Sequence, residues 1–237
     1  MRRFVARQGQ YVVRLDSDER EVLATVASDV ARMLGAEPFG PGARGRRSSS
    51  DEVRPSDDDA LDVPGSDHGS DLHGSWPWSQ AVDPPDDPAV RRLLPDGSLD
   101  PEQAAEFRRF TEGDLRERKI DGLHAWWAAL TTPGGRLGDA VAVPTGEAPA
   151  VAAAMTDVRL VLAERLGVRT DEDGERLYAE LARDPGRDRA AQVRHAFVGV
   201  YAVLSELQES LVGAMLADAR TRGTSHPRGS GGSGTAG

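Results

Sequence analysis

The residues best equipped for chemistry in this sequence are few and scattered. Asp67, His68, Asp71 and His73 fall within Asp-His-Gly-Ser-Asp-Leu-His, a set of imidazole and carboxylate groups able to bind divalent metals. The stretch around them has no apolar periodicity to preorganise them, so no metal is expected there. The run Asp57-Asp58-Asp59 reads for the same reason as solvated charge rather than a magnesium site. His124 and His195 stand on helical patterns beside apolar residues, with no nucleophile or metal motif nearby, and read as partly buried structural histidines. Cysteine is absent, which removes disulfides, thiolate zinc sites, iron–sulfur clusters and cysteine nucleophiles. Lys119 is the only lysine among 29 basic residues, and the Gly-Asp-Leu-Arg-Glu-Arg before it makes no phosphate loop. His-Glu-x-x-His, Gly-x-Ser-x-Gly and the dinucleotide fingerprint are all missing. No catalytic residue, metal ligand or cofactor is assigned, and the chain is read as not an enzyme.

Binding residues are easier to find. Ser75-Trp-Pro-Trp-Ser79 places two indoles in chain with little else to bury them, and such aromatics anchor linear segments in pockets. Trp76 and Trp78 are therefore candidate partner-binding residues, with docking back onto the protein's own helices as the alternative. Trp126 and Trp127 point about 100° apart on a helix. Trp127 keeps the spacing of Leu123 and Leu130, which leaves Trp126 as the third candidate, at a groove or interface; burial of both rings is the alternative. Arg2, Arg3, Arg7 and Arg14 gather near the N-terminus, and Arg91-Arg92 and Arg108-Arg109 lie further on. If they converge they make an acidic-partner or nucleic-acid patch; if not, they pair with the abundant carboxylates. Arg165, set between apolar positions, should pack its stem and bond a carboxylate or helix end.

The elements that must position these residues follow from periodicity. With 237 residues, 38% hydrophobic and net charge −10, the chain holds one domain and a good deal of unpacked sequence. Residues 3–15 alternate like a hairpin, with Arg7-Gln-Gly-Gln10 as the turn and Tyr11, Val13 and Leu15 on one face. Two strands alone are marginal, so the ribbon must lie on something. Asp16-Ser-Asp-Glu19 opens a helix that ends at Gly35. Residues 36–85 carry ten acidic and four basic residues and few branched aliphatics, which predicts a disordered acidic insertion. Residues 1–35 thus form a hairpin and helix belonging to the core, residues 86–221 a helical core, and the Gly/Ser-rich 222–237 a disordered tail. Within the core, Asp87-Pro88 and Asp100-Pro101 each start a helix, the second running to Phe110. Thr111-Glu-Gly-Asp114 opens the next, which stops before Pro133; a loop then runs to about Glu147. Further helices end at Gly167 and at Asp184-Pro-Gly186. In the last, Val193, Phe197, Val200, Leu204, Leu207, Leu211 and Ala214 repeat at heptad spacing. The fold class is mainly α: a helical bundle with a small N-terminal β-hairpin. Homodimerisation through the last helix is a secondary reading.

Asp157-Val-Arg-Leu-Val-Leu-Ala-Glu-Arg-Leu-Gly167 and Leu204-Ser-Glu-Leu-Gln-Glu-Ser-Leu-Val212 together resemble the paired signature of an actinobacterial domain-of-unknown-function family, number two thousand and seventeen. The hairpin-then-helix start and the segments Asp87–Pro95 and Glu106–Thr111 are similar to its members too. The resemblance implies a regulatory role: some members are labelled transcriptional regulators, and the family is often encoded beside the Clp protease adaptor. A thiol switch is excluded here by the missing cysteine. The expected function is that of a cytoplasmic, non-enzymatic regulatory or adaptor protein acting through protein–protein contacts, with a partner in transcription or proteolysis machinery. No signal-peptide core follows Met1-Arg-Arg3 and no apolar run reaches the roughly 20 residues of a membrane span. A direct DNA-binding regulator is the first alternative, disfavoured by the acidic balance. An enzyme with an unrecognised helical active site is the second.

Overall fold

The computed structural model describes residues 3–40, 84–132 and 140–224. Most of its helix ends carry the local capping chemistry that the sequence offers. Helix α1, Ser17–Met33, is opened by Asp16, which accepts from the Glu19 N–H at 2.8 Å while Glu19 reaches back to the Asp16 N–H, the reciprocal cap expected of this tetrapeptide. Gly35 follows its end at φ +89°, a conformation that a Cβ would disfavour. Helix α2, Pro88–Leu93, and helix α3, Pro101–Thr131, begin with Asp87 and Asp100 as N-caps and proline in the first turn. Helix α4, Ala148–Leu166, ends on Gly167 at φ +74°, and α5, Asp171–Leu181, carries a Thr170–Asp173 capping box. Helix α6 is Arg189–Thr224.

Several boundaries differ from the sequence reading, among them the end of α6, which runs to Thr224 and so into the stretch assigned to the tail. Helix α3 runs straight through Thr111, which was expected to cap a new helix. The Thr111 hydroxyl instead donates to the Phe107 carbonyl 2.8 Å away, one turn back, and so takes no capping position. The loop expected before Glu147 contains a strand, β3, Ala140–Pro144. It pairs antiparallel with β2, Gln10–Arg14, which also pairs with β1, Val5–Arg7, in the sheet order β1-β2-β3. The hairpin turn is Gln8-Gly9, both at positive φ as a two-residue turn demands.

The ribbon therefore finds support twice over. Its inner face buries Tyr11, Val13, Val141 and Val143, while the Phe4 N–H donates to Ser210 Oγ at 2.7 Å and the Tyr11 hydroxyl to Asp218 at 3.1 Å, both on α6. The mainly α class with a small antiparallel sheet is thus the observed architecture.

The main core joins Leu23, Ala27 and Val30 of α1, Leu123 and Leu130 of α3, Met155 and Val158 of α4, and Leu204, Leu207 and Leu211 of α6. A smaller cluster of Leu166, Leu177 and Val198 ties α5 to α6. Here the heptad expectation divides. Leu204, Leu207 and Leu211 are at most 1% exposed, as the spacing predicts, but Val193 and Phe197 are exposed and Val198 is buried instead. The reason is length: 36 residues of α6 extend about 54 Å, 19 residues of α4 about 28 Å. Beyond the end of α4 the seam loses its partner, and α5 covers another side of the helix.

Most of the acidic insertion lies outside the described residues, as do the candidate metal residues 67–73 and Trp76 and Trp78. Residues 36–40, assigned to that insertion from composition, pack on the helices: the Phe39 N–H reaches Ser28 Oγ at 3.4 Å. Among the described residues no helix is long and apolar enough to cross a membrane.

Candidate functional site

A groove of ≈ 580 Å³ runs between α1 and α3. Its floor is aromatic because Gly35 turns the chain back along α1 and brings Phe39 over α3. The Phe39 ring stands edge-on to His124 at 5.1 Å and 5.7 Å from Trp127, and His124 stacks on Trp127 at 5.9 Å. The rim carries both signs of charge, with Arg20, Glu21, Asp29 and Arg32 supplied by one face of α1. Arg20 is held in place by the end of α3: it donates to the Leu130 carbonyl at 2.8 Å and the Thr132 carbonyl at 3.0 Å, where the helix has spare acceptors and negative polarity. An apolar floor between charged edges suits an anchor residue flanked by charge.

The structure corrects the assignment of Trp126. That ring is fully buried, with its indole N–H unpartnered among the described residues, whereas Trp127 is half-buried and faces the groove. Both positions keep helical spacing to Leu123 and Leu130, so periodicity alone leaves the choice open. Helix α4 on one side of α3 and α1 on the other decide it. His124 is half-buried as expected, and its task is packing against Phe39 and Trp127. His195 is half-buried on α6, far along the chain from any second imidazole among the described residues. Among those residues no group of three or more His, Asp or Glu could hold a metal.

The middle arginines spend themselves locally. Arg92 meets Glu164 at 2.7 Å, buried Arg108 pairs with Asp96, Arg109 lies over the Phe110 ring at 4.4 Å, and Arg91 donates to the Pro85 carbonyl at 2.5 Å. Arg165 bonds the N-cap carboxylate of α2, Asp87, at 2.5 Å, the helix-end role expected of it. The backbone N–H of Ala89, reinforced by Arg165, pulls the Asp87 carboxyl below the usual range. Arg3, Arg7 and Arg14 are exposed on the hairpin.

A further set of polar side chains joins the helices of the core. Lys119 of α3 donates to buried Asp157 of α4 at 2.6 Å. Arg159 donates to Gln208 Oε1 at 2.7 Å and lies 5.2 Å from the Tyr201 ring centre, and the Gln208 amide donates to the Ala152 carbonyl at 3.2 Å and to the Thr156 hydroxyl. Asp157, Arg159 and Gln208 of the two motifs thus fasten α4 to α3 and to α6. The signal that pointed to them was polarity at helix positions otherwise flanked by apolar residues, as in Asp157-Val-Arg159.

The fold and this motif pairing define a small helical domain with an N-terminal hairpin, and one family model matches the chain over residues 1–215. The protein belongs to the family described as Domain of unknown function (DUF2017). No curated protein and no solved structure matches it.

Proposed function

We propose that the protein is a non-enzymatic regulatory or adaptor protein of the cytoplasm that acts through protein–protein contacts, and that the groove between α1 and α3 is where a partner docks. One observation carries this reading: an aromatic floor of Phe39 and Trp127 lies open beneath a rim of mixed charge. A partner helix or extended segment with one large apolar residue between charged neighbours fits that chemistry. The family's frequent neighbourhood to the Clp protease adaptor favours a partner in transcription or proteolysis machinery.

The test places a photo-crosslinking amino acid at exposed Thr25 on the groove and at exposed Glu175 on α5, inside cells that encode the protein. The expected result is a discrete protein adduct from position 25, absent from position 175 and lost in Trp127→Ala and in Arg32→Glu, both checked for helicity by circular dichroism. Identical adducts from both positions would remove the groove from the reading. Tight binding of the purified chain to its own operon DNA with a steep salt slope would move the function to the DNA-binding alternative.

A further inference from the structure

At the N-terminal end of α6 the heptad stripe runs out past the core. Val193 and Phe197 are 48% and 41% exposed there, bordering a hollow of ≈ 690 Å³ that also takes in Arg165, Leu166 and Arg189. Three arginines edge it, of which Arg165 pairs with Asp87 and Arg194 with Glu180. The one acid on it, Asp188, has an oxygen engaged by the Ala191 N–H at 2.8 Å.

The chain itself returns to this place. Residues 41–83 join Gly40 to Pro84, and shortly after Pro84 comes Asp87, bonded to Arg165 at 2.5 Å. Arg165 thus anchors the returning chain and also walls the hollow. Trp78 stands nine residues before Asp87, so its tether reaches at most about 30 Å when extended. The groove between α1 and α3 lies by contrast at the other end of the segment, beside Phe39, with 36 residues between Phe39 and Trp76. Between Arg54 and Arg91 the sequence has neither lysine nor arginine, while Asp67, Asp71, Asp83 and Asp86 make it negative. An acidic, indole-bearing stretch is therefore tethered next to an apolar face edged by arginines.

We propose that Ser75-Trp-Pro-Trp-Ser79 seats in cis on this face of α6, its indoles covering Val193 and Phe197 and its acidic flanks meeting Arg165 and Arg189. A residue before proline has a restricted backbone, so Trp76-Pro77 has less freedom to lose on seating. The short tether sets an effective concentration on the order of millimolar, which favours the chain's own segment over a free one. The α6 face is separate from the groove between α1 and α3, so the two readings stand or fall independently.

Since the chain has no cysteine, introduced pairs are its only thiols. Ser79→Cys is combined in the full-length protein with Ala190→Cys, exposed on the α6 hollow, or with Thr25→Cys, exposed on the other groove. Under mild oxidation the 79–190 pair should close an intrachain disulfide about tenfold faster than the 79–25 pair. Trp76→Ala/Trp78→Ala should abolish that advantage. Equal rates, preference for position 25, or disulfides formed only between two copies would overturn the proposal. A thiol-free variant gives a second reading: Val193→Ser/Phe197→Ser, altered only at exposed positions, should shift tryptophan emission to the red and raise its quenching by acrylamide. Unchanged emission and quenching would overturn it as well.

Discussion

Lys119 Nζ lies 2.6 Å from Asp157 Oδ1 across the contact of α3 and α4, and the carboxylate side chain is only 6% exposed. Burial pushes the Asp157 carboxyl up, while the hydrogen bond and charge of Lys119 pull it back; burial is the larger of the two. The two halves of the pair are therefore unequal. Lys119→Met should leave a buried carboxylate alone and cost about 3–5 kcal/mol at neutral pH, whereas Asp157→Asn frees a partly exposed lysine and should cost far less. With the folded carboxyl raised above its unfolded value, stability falls as pH rises through that interval. The Lys119→Met deficit should accordingly shrink as pH is lowered into the carboxylate range, measured by urea unfolding; a deficit independent of pH would mean that the cost is packing.

The polar fastening of α4 to α6 gives a second expectation. Gln208→Leu strips Arg159 of its 2.7 Å acceptor in a half-buried place and should cost about 1–3 kcal/mol. In a double-mutant cycle with Arg159→Met the two changes should be clearly non-additive. Simple additivity would show that each residue acts alone.

For α6, Leu204→Asp puts a charge where the side chain is 1% exposed, and should cost several kcal/mol and abolish cooperative melting. Val193→Ser, on the same heptad stripe but 48% exposed, should stay within about 1 kcal/mol of the parent. Thermal unfolding of the two separates seam spacing from actual burial.

Asp87 caps α2 through the Ala89 N–H at 2.8 Å and also receives Arg165. Asp87→Ala should cost about 1 kcal/mol, chiefly the cap, because the ion pair is 49% and 35% exposed and screened by solvent. The folded carboxyl is depressed, so this stabilisation is present above the ordinary carboxylate range and is lost as pH falls through the folded value. The melting temperatures of parent and variant should therefore converge in acid, and a constant gap would assign the loss to packing.

The two adjacent tryptophans supply the last comparison. Trp126→Ala empties a fully buried site and should cost about 3–5 kcal/mol; Trp127→Ala, at the half-buried groove floor, should cost less than half of that. Reversed magnitudes in chemical denaturation would restore the assignment drawn from spacing.

Much of the fold was legible in the chain because its signals act over a few residues. Asp16 with Glu19, Asp87 and Asp100 before proline, Thr170 with Asp173, and Gly35 and Gly167 satisfy or release backbone groups within one turn, and each marks the helix end it predicts. Thr111 misled because its hydroxyl has a second local option, the carbonyl one turn back, and only continued packing of α3 selects it. Strand β3 was hidden because Ala140–Pro144 becomes a strand by pairing with Gln10–Arg14, more than a hundred residues away.

The sequence by itself determined the helix ends that carry an acidic or threonine cap or a closing glycine, the hairpin turn, the family and the exclusion of thiol chemistry, all of which depend on residue identity and near neighbours. Tertiary structure alone decided which tryptophan meets the groove, where the α6 seam stops being a core, and that Lys119, Asp157, Arg159 and Gln208 are fasteners. Helical spacing gives each residue a direction; only the lengths and placement of the neighbouring helices determine whether anything lies in that direction to cover it.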